Sequence, residues 1–422
     1  MTQARAGGHG GHDKRRVLCV TSNYPRWEGD STTPFVQHLA QDLLALGWEV
    51  DVLAPHAPSA ASREQLNGIS VDRFHYLWPE RLETVCYQGG ALLNLQKNKL
   101  NYLKLPALVF FQWTAIVKRL LSGHYDLLHS HWILPQGFTG VLAARPFNLP
   151  HVVTVHGSDA FALKGELLSK FKAFSLMGAD AVTVNSSATR QQVLAIAPEL
   201  TALSLIPMGI ALNQPNPDRV AQLRQQFRGD QGPLLIYVGR LVEQKGIGDL
   251  LRAVALLSQT LTDCRLLILG EGPWRDALVS LADRLGISQR VSFIGWVEPS
   301  DVPNYLAAAD IFVGPSKQMP DGSTEAQGLS FIEAMQAGTP VIATDVGGIG
   351  DTVKHEETGL LVPQDDPGAI AGSVLRLLSE PQLADKLIFQ AKQATKHYTR
   401  EATAVQFAQL FDAMLHHKSH RS

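Results

Sequence analysis

Short β-branched runs alternate with helix-length amphipathic stretches along almost the whole chain. In the first half they are RRVLCVTS (15–22), EVDVLAP (49–55), GISVDRF (68–74), YDLLHSH (125–131), PHVVTVHG (150–157), DAVTVNS (180–186) and LSLIPMG (203–209). In the second half they are PLLIYVG (233–239), CRLLILG (264–270), RVSFIG (290–295), DIFVGP (310–315), TPVIATD (339–345) and TGLLVP (358–363). Runs that are apolar throughout fit parallel strands covered on both faces. Strands alternating with helices define an α/β chain. A length of 422 residues exceeds what one core serves. MGIALNQPNPDRV (208–220), with two prolines and two asparagines, reads as a linker between halves. The expected plan is two Rossmann-like doubly wound domains, 16–208 and 209–400. A central cleft at the carboxyl ends of both sheets would take the ligand. Residues 1–15 read as a disordered tail, because glycine and charge leave nothing to bury. Helical pattern continues from Pro367, and 401–422 is expected to pack back on the N-terminal domain.

Charge and cysteine usage narrow the function. A formal charge of -2 argues against a nucleic-acid partner. Cys19, Cys86 and Cys264 are an odd, sparse set, which fits reduced buried thiols and a cytoplasmic location. The start, MTQARAGGHGGHDKRR, has no apolar core of the secretory-signal kind. No stretch is expected to reach the ~20 apolar residues of a membrane span. LKLPALVFFQWTAIVKRLL (103–121) comes nearest and is interrupted by Pro106, Gln112 and Lys118. It reads as a core helix with a basic outer face. Alternatively, it lies on an anionic membrane through Trp113 and the Phe pair, with Lys97, Lys99 and Lys104 beside them.

The chemistry-bearing residues cluster after strand ends. In YVGRLVEQKGIGDLL (237–251) a strand ends at Gly239, and Arg240 and Lys245 follow. A forked guanidinium and a point-charge ammonium suit a diphosphate, although exposed cations are often only solvated. The segment lacks the spacing of a P-loop. In LGEGPWRDAL (269–278), Gly270 and Gly272 follow a strand, and Pro273 is expected to open a helix. That turn is either structural or lets backbone approach a flat base. STEAQGLSFIEAM (323–335) sets Glu325 in a loop and Glu333 in a helix starting near Leu329, with the break at Gly328. The unpaired first amides, at Leu329 and Ser330, form an anion site. Glu333 could accept two hydrogen bonds from a ribose diol, and Glu325 could bind hydroxyls of a second sugar beyond the phosphates. Gly347 and Gly348 follow the next strand and could line the same crevice. In TSNYPRWEGDSTTPFVQHLA (21–40), Ser31, Thr32 or Thr33 can cap a helix with Pro34 in its first turn. Arg26 adds charge there or sits on the surface. In VTVHGSDAF (153–161), His156 lies just past a strand, three residues before Asp159. A lone histidine in such a place is more often structural. His129 and His131 have a two-residue spacing but no neighbouring carboxylate or cysteine to complete a metal site.

VGRLVEQKG, LGEGPWRDAL, VSFIGWVEPSDVPNYLAAADIFVGPS, EAQGLSFIEAMQAGTPVIATDVGGI and GLLVP together resemble, in order and spacing, the retaining glycosyltransferases of family 4 with GT-B architecture. The resemblance runs from about Arg16 into the C-terminal helices. It implies an acceptor-side domain at 16–208 and a nucleotide-sugar-binding domain at 209–400. It further implies that Glu333 holds the nucleotide ribose, that Glu325 contacts the donor sugar, and that Arg240 and Lys245 hold the diphosphate. Gly239, Gly272, Gly328, Leu329 and Ser330 would complete the donor site, and the 21–40 loop would close on it at Gly29. HGSD resembles the HG-x-D of many members, in which the histidine contacts the donor sugar near the reacting carbon. His156 thereby becomes a catalytic candidate beside Arg240, Lys245 and Glu325. HSHWILPQG resembles a cleft segment of polysaccharide-assembly members, which makes His131, with Asp159, an acceptor-side candidate. The family commonly reads GGIPE where this chain has GGIGD (347–351). Asp351 shortens the acid and the lost proline loosens the turn, a change expected to leave activity intact.

The reading is a retaining glycosyltransferase that moves a sugar from a nucleotide-diphosphate sugar to a lipid-linked, saccharide or small-molecule acceptor. No metal or other cofactor is expected, since a helix dipole, Arg240 and Lys245 can neutralise the leaving diphosphate. The place of action is the cytoplasm, or the inner membrane face through peripheral contact with anionic lipid. The rival readings are a GT-B nucleotide-sugar epimerase and a non-catalytic sugar-nucleotide-binding subunit. A dehydrogenase is disfavoured, because no G-x-G-x-x-G opens the first strand–helix unit.

Overall fold

The computed structural model describes residues 15–30, 34–87, 90–162, 164–211, 213–228, 232–261 and 263–419. The expected tail, save Arg15, and the capping role of Ser31, Thr32 or Thr33 lie outside the described residues. The described residues of Met1–Thr154, Gly178–Ala181 and Ala404–Ser422 form one compact unit. Those of Val155–Met177 and Val182–Thr403 form a second. This grouping differs from a division at residue 208. The turns that follow residues 155 and 184 pack on the 325–351 segment, as described below, and so count with it.

The first sheet comprises β1 (Arg16–Val20), β2 (Glu49–Pro55), β3 (Arg63–Leu66), β4 (Ile69–Phe74), β5 (Leu127–His131), β6 (His151–Val155), β7 (Ala181–Val184) and β8 (Leu203–Leu205). Its order is β3-β4-β2-β1-β5-β6-β7-β8, and the direction of growth reverses between β1 and β5. β3 alone among the described pairings is antiparallel. In the first unit, Leu18 and Val20 pack with Leu108, Ile116 and Leu120 of the helix Leu105–Ser122. The helix Arg400–Ser419 contributes Phe407 and Phe411, both fully buried. Phe411 meets Trp48 edge-on at 5.4 Å, and both phenylalanines lie 5.3 Å from the His129 ring.

The second sheet comprises β9 (Leu234–Val238), β10 (Arg265–Leu269), β11 (Val291–Gly295), β12 (Ile311–Gly314), β13 (Val341–Thr344) and β14 (Leu360–Val362). All its pairings are parallel, in the order β11-β10-β9-β12-β13-β14. Along β9, Leu235 and Tyr237 pack with Leu250, Leu251 and Val254 of the helix Ile247–Leu257. Leu234 and Ile236 pack on the opposite face with Phe331 and Met335 of the helix Leu329–Ala337. Both faces are covered, which is why the strand has no polar alternation. Each such side chain contributes ~1.5–3 kcal/mol by leaving water. The strand order places a topological switch point between β9 and β12, where a doubly wound sheet opens a crevice at its carboxyl end.

Three local expectations change. The helix after β10 spans Arg275–Arg284, so Pro273 lies in the preceding turn and not at the first helical position. β3 has no β-branched residue to announce it. Lys99–Ser122 is long and apolar enough, by length and composition alone, to cross a membrane, contrary to the expectation that no stretch would be. Its Leu108, Gln112, Ile116 and Leu120 stripe is nevertheless buried.

Candidate functional site

The segments that leave β9 and β12 meet at the switch point of the second unit. Past β9 the chain turns at Gly239, and the buried Tyr237 hydroxyl donates to the Arg240 carbonyl at 3.2 Å. Arg240 is exposed. A turn at Glu243–Lys245 ends at Gly246, whose φ is +64°. A Cβ there would stand 1.8 Å from the Pro315 carbonyl oxygen, so only glycine lets this loop close on the end of β12. That closure brings the Lys245 ammonium into an ion pair with the Glu325 carboxylate. Ser316 Oγ donates to Glu325 at 3.4 Å. Burial by itself pushes the Glu325 carboxyl up. Lys245, helped by Ser316 and Arg240, outweighs it, and the net shift is downward.

Gly328 separates the two acids. Its φ of +76° ends the loop, and a Cβ would fall 2.4 Å from the Phe331 ring. The helix starts at Leu329, and the amides of Leu329 and Ser330 have no acceptor among the described residues. Glu333 lies one turn inside and is half-buried. Burial pushes its carboxyl up to about 7. The two carboxyls are thus driven in opposite directions, one by a cation and the other by desolvation.

The turn after β6 packs on the same loop. A Cβ on Gly157 (φ +103°) would stand 2.3 Å from the Ala326 Cβ. Asp159 is buried, and its Oδ1 accepts the amides of His156 (3.1 Å) and Gly157 (3.0 Å), which holds the turn. Asn185 Nδ2 donates to the His156 carbonyl at 3.2 Å. Burial pushes the His156 ring down to about 3, so it is neutral at physiological pH. Gly347 and Gly348 close the far side. The Gly348 amide donates to the Glu325 carbonyl at 2.9 Å.

Models of two families match this chain: "Glycosyl transferase 4-like domain" over residues 32–209 and "Glycosyl transferases group 1" over 218–394. A GDP-mannose-dependent alpha-(1-6)-phosphatidylinositol monomannoside mannosyltransferase of Mycolicibacterium smegmatis is 32% identical over 277 residues, 64% of this chain and 71% of that protein. The chain belongs to the group 1 glycosyltransferases. The enzyme of the same description from Mycobacterium tuberculosis is 34% identical over 204 residues, 48% of this chain. The match spans about half, 53%, of that relative's length. Among solved structures, a sucrose-phosphate synthase from Thermosynechococcus elongatus superposes with a TM-score of 0.73 at 26% identity, covering 95% of this chain and 99% of that one. The two doubly wound sheets are those of the GT-B fold.

Several residues that shape this glycosyltransferase's site were not singled out from sequence. Lys172 is buried and donates to the carbonyls of Ala160 (3.1 Å) and Ala162, which fixes the end of the short helix Ser158–Phe161. Burial lowers its pKa. Gln327 is buried and exchanges two hydrogen bonds with the Met208 backbone, accepting at 3.0 Å and donating at 2.7 Å. Ser187 gives its amide and hydroxyl to the Asp351 carboxylate, each at 2.6 Å. A polar residue inside an apolar stretch, such as Lys172 in FKAFSLM, was the available signal. Gly270 and Gly272 have a backbone reason for being glycine. A Cβ on either would fall 2.0 Å from the Gly239 carbonyl oxygen and 2.3 Å from that of Leu241, respectively.

In the first unit, Gly29 is exposed with φ +84°, and nothing lies within 4 Å of where its Cβ would be. Arg26 is pinned by Asp30 through Nε at 2.7 Å and Nη2 at 3.2 Å. His131 is fully buried, its ring 4.3 Å from that of His129, which contacts Thr154 Oγ1 at 2.7 Å. Gly29 and His131 therefore belong to the other unit from Arg240, Lys245, Glu325, Glu333 and His156.

Proposed function

We propose that this glycosyltransferase moves a hexosyl group, with retention at the anomeric carbon, from a nucleotide-diphosphate sugar to a saccharide or lipid-linked acceptor in glycan assembly. The observation that carries the reading is the Lys245–Glu325 pair at the β9/β12 switch point, beside the unpartnered amides of Leu329 and Ser330. Breaking the anomeric C–O bond leaves its electron pair on the diphosphate. Arg240, Lys245 and the helix amides are the groups that would meet that charge. In this reading Lys245 leaves Glu325 for the diphosphate, which frees Glu325 to accept hydroxyls of the transferred sugar. Glu333 accepts the ribose diol. His156, neutral, positions the donor without adding charge. The acceptor oxygen attacks from the face the diphosphate leaves, and its proton passes to the departing phosphate oxygen. No protein nucleophile is used and no metal is assigned at the diphosphate. The relatives' GDP-mannose makes that donor the first to try, before uridine and adenosine diphosphate sugars.

Lys245→Ala and Glu325→Ala are each expected to lower donor turnover by ~10²-fold or more while the far-UV circular dichroism is retained. Full turnover in either variant would overturn the assignment. We further place the enzyme at an anionic membrane face. The support is the half-buried helix Leu105–Ser122 and the segment before it. There Leu103, Phe110, Phe111 and Leu121 are exposed beside Lys104 and Lys118.

A further inference from the structure

We propose that the first unit carries a divalent transition-metal site built from His56, His75 and Glu83, with zinc as its fitting ion. The inference is independent of the donor-site reading and concerns different residues. Strand register builds the site. Pro55 of β2 pairs with Phe74 of β4, so the next residues, His56 and His75, leave neighbouring parallel strands side by side. Their ring centroids lie 3.9 Å apart with the planes tilted by 35°. Glu83 enters from the turn after Glu80–Leu82. One donor atom from each of the three side chains lies within 4.8 Å of the others.

The hydrogen bonds orient the set as a ligand shell. Glu83 is buried and its Oε1 accepts the amides of Tyr76 (2.7 Å) and Leu77 (3.2 Å). Its Oε2 is aimed at both imidazoles, 2.7 Å from His56 Nδ1 and 3.3 Å from His75 Nδ1. On the far side of each ring, His56 Nε2 faces the Ala60 carbonyl at 2.9 Å and His75 Nε2 faces Ser62 Oγ at 3.1 Å. Metal-ligating histidines commonly anchor the distal nitrogen in this manner.

The Ala60 carbonyl can only accept, so His56 turns its Nε2 to it and leaves Nδ1 facing Glu83 Oε2. His75 Nδ1 faces the same oxygen, so the donor atoms converge on one point. A metal at that point takes a lone pair from each. It also compensates a carboxylate whose ion pairs, among the described residues, are to these imidazoles only. Tetrahedral zinc with bonds near 2.0–2.1 Å spaces its ligands by about 3.3 Å. The His75–Glu83 separation has that value already, and the His56–Glu83 separation must open by about half an ångström. A nitrogen–nitrogen–carboxylate set suits zinc and excludes the hard ions magnesium and calcium. The His75 side chain is 50% exposed, which leaves a fourth position for water. The ion would clamp the 76–83 turn onto the ends of β2 and β4.

The test uses the full chain with His9→Ala and His12→Ala, so that the histidine-glycine start cannot bind metal. The protein is stripped with chelator and titrated with zinc against a chromogenic competitor, with magnesium as control. One equivalent of zinc is expected, with histidine ligands at the zinc absorption edge. His75→Ala, a half-exposed position, should weaken binding by more than about 100-fold without changing the thermal midpoint of the metal-free protein. Stoichiometric zinc that survives His75→Ala overturns the proposal. So does the absence of stoichiometric zinc binding by the stripped protein.

Discussion

Glu325 and Glu333 are the same residue type eight positions apart, yet they titrate under opposite influences. The Lys245 ammonium keeps Glu325 ionised in spite of its burial. Its contribution to stability is present above the unfolded carboxyl range and is lost as acid protonates it. Glu333 has no such partner among the described residues, and burial raises it to about 7. The folded state then binds a proton that the unfolded chain has released. Glu333 therefore supports folding below its unfolded value of 4.5 and loses that contribution as pH rises through about 7. Thermal midpoints from pH 5 to 8 should fall for the native protein and stay flatter for Glu333→Gln. A ribose diol needs an accepting carboxylate, so donor affinity should move the other way, rising through about pH 7 in the native protein only. Calorimetric titration at pH 6 and 8 checks this, and a pH-independent affinity would remove Glu333 from the ribose. The sequence placed both acids and the helix start between them. It could not supply their charge states, because Lys245 lies 80 residues from Glu325 along the chain.

Elements meet through turns with no room for a side chain. Gly157 rests on Ala326, and the Gly348 amide bonds the Glu325 carbonyl, so the loop carrying Glu325 is held from both flanks. Asp351 ties the trailing flank to the helix Ser187–Ile196 through two charge-assisted hydrogen bonds. In the sequence, GGIGD keeps a shorter acid at Asp351 and its missing proline loosens the turn. In the fold that acid is an anchor, and its short reach suits the 2.6 Å contacts. Asp351→Ala should cost about 2 kcal/mol in urea unfolding. It should raise KM for the donor more than it lowers kcat, since the loop is displaced and not stripped of a reacting group. Unchanged stability and unchanged KM would show that the anchor is dispensable. The strands facing two layers of helices were legible because burial on both sides leaves an unbroken apolar run. β3 was not, because REQL is an edge strand without a β-branched residue, and its Glu64 is held by an ion pair to the buried Arg73 that no local pattern announces.

The two doubly wound sheets followed from the alternation of apolar runs with helix-length stretches. The grouping of residues 155–177 and 182–208 with the second unit did not, since it depends on contacts that no periodicity reports. The outer face of the Leu105–Ser122 helix has its test at this scale too. Vesicles containing anionic lipid should float the protein, neutral vesicles should not, and Phe110→Ser with Phe111→Ser should reduce flotation severalfold. Failure to float with either lipid would remove the membrane reading.

The helix that carries Phe407 and Phe411 completes a core whose other walls are made by residues before Thr154. During translation those walls leave the ribosome first and must wait for the intervening chain. At ordinary elongation rates the delay is tens of seconds. The second unit has all its strands by then. The first-made unit is thus the last to be completed, and the edge of Trp48 that Phe411 covers must wait for the end of the chain.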